Sequence, residues 1–428
     1  MRFNRWIGAV ALAAFTGPAR AQQLPRVRPE MVGLSSARLA RLDHLLTTYA
    51  TEGKLAGAVT LVLRDGKVAY QGVVGQADRE AGTRMQASTL FRIASQSKAV
   101  TSVGVMMLVE EGKVRLNDPL ARFIPAFATT TVGVDSSDAQ GHHWVGRVPP
   151  ARPITIRDLL THTAGVSYGA GLLDSLYRAK GFHSWYFAVN DEPIGTTIER
   201  LATLPMAAQP GAAWIYGYSS DILGVVIERA SGLTLDDFFH QRIFGPLAMR
   251  DTYFYVPPEK AARLAVVYGA APGGGLVKEP DSLMGQGDYV RGPRKSFSGG
   301  AGLVSTAEDY ARFLQMLLNG GALDGHRLLS PTTVKLMTQN HVGTMFADGN
   351  LGFGLGFQIV ESPGRAGVVS SPGQYGWGGA YYSLYFVDPI ERLVVVFMTQ
   401  LLPSGGLDLQ DKVRALAYQA IVKSYARE

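Results

Sequence analysis

A lysine stands at the head of a helix that has almost no polar face. After Phe91-Arg92-Ile93-Ala94-Ser95-Gln96-Ser97-Lys98 the sequence continues Ala99-Val100-Thr101-Ser102-Val103 and stays apolar from Val105 to Val109, with Gly112 as its stop. This pattern predicts a buried helix of about four turns. An unpaired ammonium inside such a helix is costly, so the fold has to bring Lys98 a partner. With the helix starting near Ser95, residues 95 and 98 share one face about a turn apart, and the ammonium reaches the hydroxyl. A helix N-terminus also offers free N–H groups and a positive dipole to a developing oxyanion. Ser95 is the only serine in the chain with a lysine three residues on.

The N-terminus reads as an address rather than as structure. Arg2 and Arg5 precede an uncharged run from Trp6 to Gly17, and Ala19-Arg20-Ala21 follows. That order is a secretory signal peptide over residues 1–21 with cleavage after Ala21. The run is too short to span a bilayer, so no stable membrane insertion is expected, and the product is expected to be periplasmic or secreted. The chain has no cysteine, which removes thiol nucleophiles, thiolate metal sites and disulfides. Its stability therefore has to come from a core, and 428 residues with 46% hydrophobic content can build one or two large ones. The formal charge of +6 falls to +3 once Arg2, Arg5 and Arg20 leave. The remaining basic residues are scattered, so no nucleic-acid partner is expected.

Ser35-Ser36 caps a helix carrying Leu39, Leu42, Leu45, Leu46 and Tyr49. Two β-runs, Gly57 to Leu63 and Lys67 to Val74, meet at Arg64-Asp65-Gly66, a strong hairpin signal. The polar, Gly- and Pro-rich stretch from Thr129 to Pro153, with His142-His143, reads as a long surface loop. Helices are expected at 156–161, 196–203, 220–230 and 234–244, and again from Glu308 to Leu318. Near the end, Tyr381 to Val387 and Leu393 to Met398 flank a second hairpin turn, and a last helix runs from Leu409 to about Val422. Strands and a helix at both ends with helices between predict an α+β (α/β) architecture. Its sheet domain is built from residues 22–92 and 265–428. A mostly helical domain, residues 93–264, is inserted into it.

Three motifs compete for the chemistry. Ser95/Lys98 is the first. Gly165-Val166-Ser167-Tyr168-Gly169 matches the Gly-x-Ser-x-Gly elbow, but the elbow needs a strand before it and a helix after. Here a helix end precedes it and loop residues follow, so Ser167 reads as a stray match. The third is a histidine-based site, yet the eight histidines show no ligand spacing, and no metal or other cofactor is expected. A Ser/Lys pair needs a further proton-transfer group and an oxyanion hole. Candidates are Tyr216 and Tyr218, ahead of a helix, and the Gln374 to Tyr382 segment, whose Gly378-Gly379 looks like the start of an edge strand where backbone can approach a ligand.

The order Ser-x-x-Lys, then a tyrosine after Pro210-Gly211, then Trp377-Gly378-Gly379 resembles the serine β-lactamase-like superfamily. More narrowly it resembles the class C-like esterases, bacterial esterase family VIII. Leu159 to Gly165, Phe244 to Met249 and Gly299 to Thr306 read like the same family's linking signatures, so the resemblance covers almost the whole mature chain. It implies an antiparallel sheet flanked by N- and C-terminal helices, with the active site between sheet and helical domain. Ser95 would be the nucleophile, Lys98 and Tyr216 the proton-transfer groups, and the N–H groups of Ser95 and Ala380 the oxyanion hole. Trp377, Gly378 and Gly379 would bind substrate where lactamases carry Lys-Thr-Gly. Tyr218 remains a rival for the base, and the choice between Lys98 and Tyr216 stays open.

The chain contains neither Lys-Thr-Gly nor Tyr-x-Asn. The expected substrate is therefore a neutral, short-chain carboxylic ester, a small molecule cleaved through an acyl-enzyme. Alternatives are a β-lactamase or D-amino-acid peptidase, and a non-catalytic lactam or peptidoglycan sensor. An amidase would need a cation near Trp377, with Arg291, Arg294 or Lys295 as candidates from a loop. Oligomeric state is not legible.

Overall fold

The computed structural model describes residues 23–426; the expected signal peptide and its cleavage point lie outside them. Eight antiparallel strands form one sheet. They are β1 (Gly57–Arg64), β2 (Lys67–Asp78), β3 (Thr83–Arg84), β4 (Gly352–Phe353), β5 (Gln358–Val360), β6 (Gln374–Gly378), β7 (Leu384–Asp388) and β8 (Leu393–Met398). Their order across the sheet is β4-β5-β6-β7-β8-β1-β2-β3. The N-terminal and C-terminal hairpins thus meet at the β8–β1 pair, with Val59 opposite Met398 and Arg64 opposite Leu393.

Side chains alternate across a strand, and both faces here are covered, which is why β8 is an unbroken apolar run. Leu393, Val395 and Phe397 face the helices α1 (Ser36–Thr51) and α5 (Leu409–Gln419) in one core. Val394, Val396 and Met398 face the larger core on the other side. That core holds α2 (Ser97–Glu110), α3 (Ser219–Ser231) and α4 (Ala307–Leu318). Ser35 caps α1 as the sequence predicts, accepting the Arg38 N–H, and Thr306 caps α4 by accepting that of Asp309. In the β1–β2 turn Asp65 and Gly66 both take positive φ, 53° and 73°. A two-residue turn between right-twisted strands requires this.

Four expectations need correction. The α2 helix begins at Ser97, and Ser95 sits in a 3-10 turn, Ala94–Gln96, just ahead of it. The stretch from Thr129 to Pro153 is not a loop: Val132–Ser137 pairs with His143–Val148 as a hairpin. Its Asp, Ser and Gly residues hide the alternation, and the hairpin is docked through backbone bonds between Gly133 and Met206 and between Met206 and Thr131. Gly378 ends an interior strand, between β5 and β7, instead of opening an edge strand. The last helix stops at Gln419, short of Val422.

Candidate active site

Phe91–Arg92 pairs with Val304–Ser305, and the Ile93 N–H donates to Leu303 O at 3.0 Å. This pairing delivers the chain into the Ala94–Gln96 turn, where Ala94 is held at a φ of +43°. A non-glycine residue pays for that conformation, and the turn it makes lifts one side chain out. Ser95 is the one partly exposed residue between Phe91 and Leu108.

Lys98, one turn on, is 3% exposed. Its Nζ donates to Ser95 Oγ at 3.2 Å, to Tyr168 OH at 3.3 Å and to Gly300 O at 2.7 Å. It also lies 4.7 Å from the centroid of the Tyr216 ring. The ammonium thus has the partners that burial demands. Gly300 is fixed in turn by Asp221 of α3, whose Oδ1 accepts the Gly300 N–H at 3.0 Å and the Ser298 hydroxyl at 2.5 Å. Burial pushes the Asp221 carboxyl up, and the Lys98 cation pulls it back.

Tyr216 presents its OH to Trp377, whose indole N–H donates to it at 3.1 Å. The Tyr216 ring stacks on Trp214 at 5.7 Å and contacts His162 at 4.9 Å. That histidine is pulled down to about 3 by burial and by the Lys98 cation, so it is neutral packing against Tyr216. Tyr218 turns away instead, donating to Ser184 O at 2.8 Å. Ser167 is buried in its loop, its Oγ accepting the Gly169 N–H at 3.0 Å, with no strand ahead of it. The residue this motif does bring to the site is its neighbour Tyr168. Burial holds the Tyr168 phenol well above its ordinary pKa, so it stays protonated beside Lys98. Sequence reasoning passed over Tyr168; the signal was a tyrosine at the end of a helix-loop signature, inside a motif set aside for its serine.

Gly379 closes the other wall. A Cβ there would come within 2.6 Å of Ile93 O, so only glycine lets the end of β6 lie against the Ser95 turn. Ala380 follows, and no described group accepts a hydrogen bond from its N–H. Ser95, Tyr168, Tyr216, Trp377 and Ala380 line one cavity of about 510 Å³. Of the loop cations that an amidase could have brought to Trp377, Lys295 is paired with Asp191 at 2.7 Å and Arg294 donates to Val256 O. Neither they nor Arg291 line this cavity. His142 and His143 sit on the hairpin, facing Asp138 and Asp135.

The Beta-lactamase family pattern matches residues 42–420. The chain belongs to that family. Among its relatives, Esterase EstB of Burkholderia gladioli is 32% identical over 394 residues, covering 87% of this chain and 93% of that one. Lovastatin esterase of Penicillium rubens is 31% identical over 410 residues, with 90% and 98% covered. Among solved structures, that of "EstCE1, a hydrolase with promiscuous acyltransferase activity" superposes with a TM-score of 0.75. It is 28% identical, with 89% of this chain and 99% of that one covered. The family's fold is the architecture described above: helices on both faces of a large antiparallel sheet.

Proposed function

We propose that this chain is a serine esterase that cleaves carboxylic esters through an acyl-enzyme on Ser95. The observation that carries the reading is the Lys98 Nζ at 3.2 Å from the Oγ of the partly exposed Ser95, at the wall of a cavity large enough for a small ester. The esterase names of relatives matched over nearly their full length support the same class.

In this reading the Lys98–Tyr216 pair enters the step one proton short of ammonium plus phenol, and Ser95 Oγ bonds to the ester carbonyl carbon as its proton moves onto the member that lacks it. The carbonyl electron pair moves onto oxygen, held by the N–H groups of Ser95 and Ala380. Collapse breaks the carbon–oxygen bond of the ester, and the leaving alkoxide takes the proton from the pair. Water then attacks the acyl-Ser95 ester by the same route and restores Ser95. Trp377 orients the Tyr216 hydroxyl through its indole N–H and offers an apolar wall in place of a charged one.

The test is turnover of a short aryl ester. Ser95→Ala is expected to lose it by about a thousandfold or more, while Ser167→Ala keeps most of it. Retained turnover in Ser95→Ala would reverse the assignment. On the same protein a penicillin is expected to have a kcat/KM at least about tenfold below the aryl ester, roughly 1.4 kcal/mol, because Trp377-Gly378-Gly379 stands where lactamases carry Lys-Thr-Gly. A penicillin preferred by that margin would make the protein a lactamase.

A further inference from the structure

The loop that joins β6 to β7 carries the Ala380 N–H, and its backbone holds an unusual residue. Gly379 donates its N–H to Ser383 O at 2.9 Å and accepts the N–H of Tyr382 at 3.0 Å. That closes a three-residue hairpin loop, Ala380 to Tyr382, of the kind whose last residue takes the left-handed conformation. Glycine suits that position because it has no Cβ. Here it is Tyr382, at a φ of +66°. A bulky residue is an outlier there and persists only where its surroundings over-determine it.

The C-terminal helix supplies those surroundings. Tyr382 OH donates to Leu407 O and accepts the N–H groups of Leu409 at 3.0 Å and Gln410 at 3.4 Å. Gln410 Nε2 returns to the loop, donating to Tyr382 O and Ser383 O, each at 3.2 Å. Asp408, the residue ahead of α5, makes no side-chain capping bond. Its carboxylate pairs with Lys412 at 2.7 Å and accepts the Tyr49 hydroxyl. The first two N–H groups of α5 are therefore satisfied by a side chain from the active-site loop. Burial raises the Tyr382 phenol above its ordinary pKa; the Leu409 and Gln410 N–H groups oppose this, and the Asp408 and Asp411 carboxylates add to it. The hydroxyl thus stays protonated and donates to Leu407 O. A glycine at 382 would relieve the backbone but leave the loop untied from the helix. The tie is made two residues from Ala380, in a loop whose first residue, Gly379, already lies against Ile93 O.

We propose that Tyr382 is a positioning residue of the oxyanion hole. Bound to the head of α5, it holds the Gly379–Ser383 loop so that the Ala380 N–H meets the charge that develops beside Ser95. The proposal rests on the ester-hydrolase reading and deepens it: the last helix, remote from Ser95 in sequence, fixes one of the two donors.

The test uses the whole purified protein and 4-nitrophenyl butyrate, well below the unfolding temperature of each variant. Tyr382→Phe keeps the ring and the backbone demand and removes only the hydroxyl. Its kcat is expected to fall at least about tenfold, part of the cost of losing an oxyanion donor, with KM within about twofold of wild type. Tyr382→Gly, which fits the turn but makes no tie, is expected to lose kcat by at least the same factor. A smaller loss of kcat in Tyr382→Phe overturns the proposal, and so does a loss carried by KM, which would make Tyr382 a wall of the cavity. Wild-type kcat in Tyr382→Gly overturns it equally, because the tyrosine would then only fill a glycine's place. If Tyr382→Phe does not fold, Gln410→Ala decides. It cuts two bonds to the loop, and kcat at least threefold lower supports the proposal, while a smaller change overturns it. Failure of the wild type to turn over the ester counts against the esterase reading instead. In that event the rate at which a fluorophosphonate labels Ser95 decides, since the bond from Oγ to phosphorus forms as fluoride leaves and charge builds on the phosphoryl oxygen in the same hole. Labelling at least tenfold slower in Tyr382→Phe supports the proposal. A smaller change, or no labelling of the wild type, overturns it.

Discussion

At the scale of single residues, the site is a set of partners for one buried ammonium. Ser95 and Lys98 are legible in the sequence because a lysine heading an apolar helix needs a reason. Tyr168 is not, since its closeness to Lys98 depends on how the loop after residues 156–160 folds back. Removing its hydroxyl gives a defined expectation. Tyr168→Phe deletes one hydrogen bond to Lys98, at 3.3 Å, and leaves the ring between Tyr216 and Tyr218 in place. A bond of this kind contributes about 1–2 kcal/mol, so kcat/KM should fall roughly five- to thirtyfold. The unfolding temperature should move little. Activity equal to wild type would mean that Tyr168 is packing only.

At the scale of elements, what could be read in advance was whatever a short stretch decides for itself. The β1–β2 hairpin was legible because Asp65-Gly66 alone sets its turn. The Val132–Val148 hairpin was not, because its strands are polar on one side and are fixed by Met206, far along the chain. The approach of β6 to the Ser95 turn was equally hidden, although the glycines that permit it were visible. A side chain at Gly379 would press on Ile93 O and part the Ala380 N–H from the Ser95 turn. Gly379→Ala should therefore lower kcat about a hundredfold, the usual cost of one misplaced oxyanion donor, with the protein still folded by circular dichroism. Full activity in this variant would remove Ala380 from the oxyanion hole.

At the scale of the whole molecule, the sheet is closed by residues from opposite ends of the chain. The β8–β1 pair supplies the backbone part of that closure. Arg64, at the end of β1, supplies an ionic part: its Nη2 meets Glu391 Oε2 at 2.5 Å, with both side chains buried. Its Nε donates to Glu391 O at 3.0 Å, and its guanidinium lies 4.3 Å from the Tyr425 ring centroid. Glu391 in turn accepts the Tyr425 N–H at 3.2 Å and the Ser424 hydroxyl. One charge pair therefore ties the first hairpin, the last hairpin and the segment after α5 together. Breaking a buried pair from one side strands the other charge and costs about 3–5 kcal/mol, whereas replacing both charges with apolar groups is often nearly neutral. Glu391→Ala should accordingly lose about 3 kcal/mol or more of stability in urea unfolding. The double variant Arg64→Met/Glu391→Leu should lose clearly less, because it leaves no bare guanidinium in the core. The pair lies on β1 and in the β7–β8 turn, not on the cavity wall, so ester turnover by the folded fraction should stay near wild type in both. A double variant no more stable than Glu391→Ala would mean that the seam depends on the hydrogen bonds to Gly33, Ser424 and Tyr425 and not on pairing the charge.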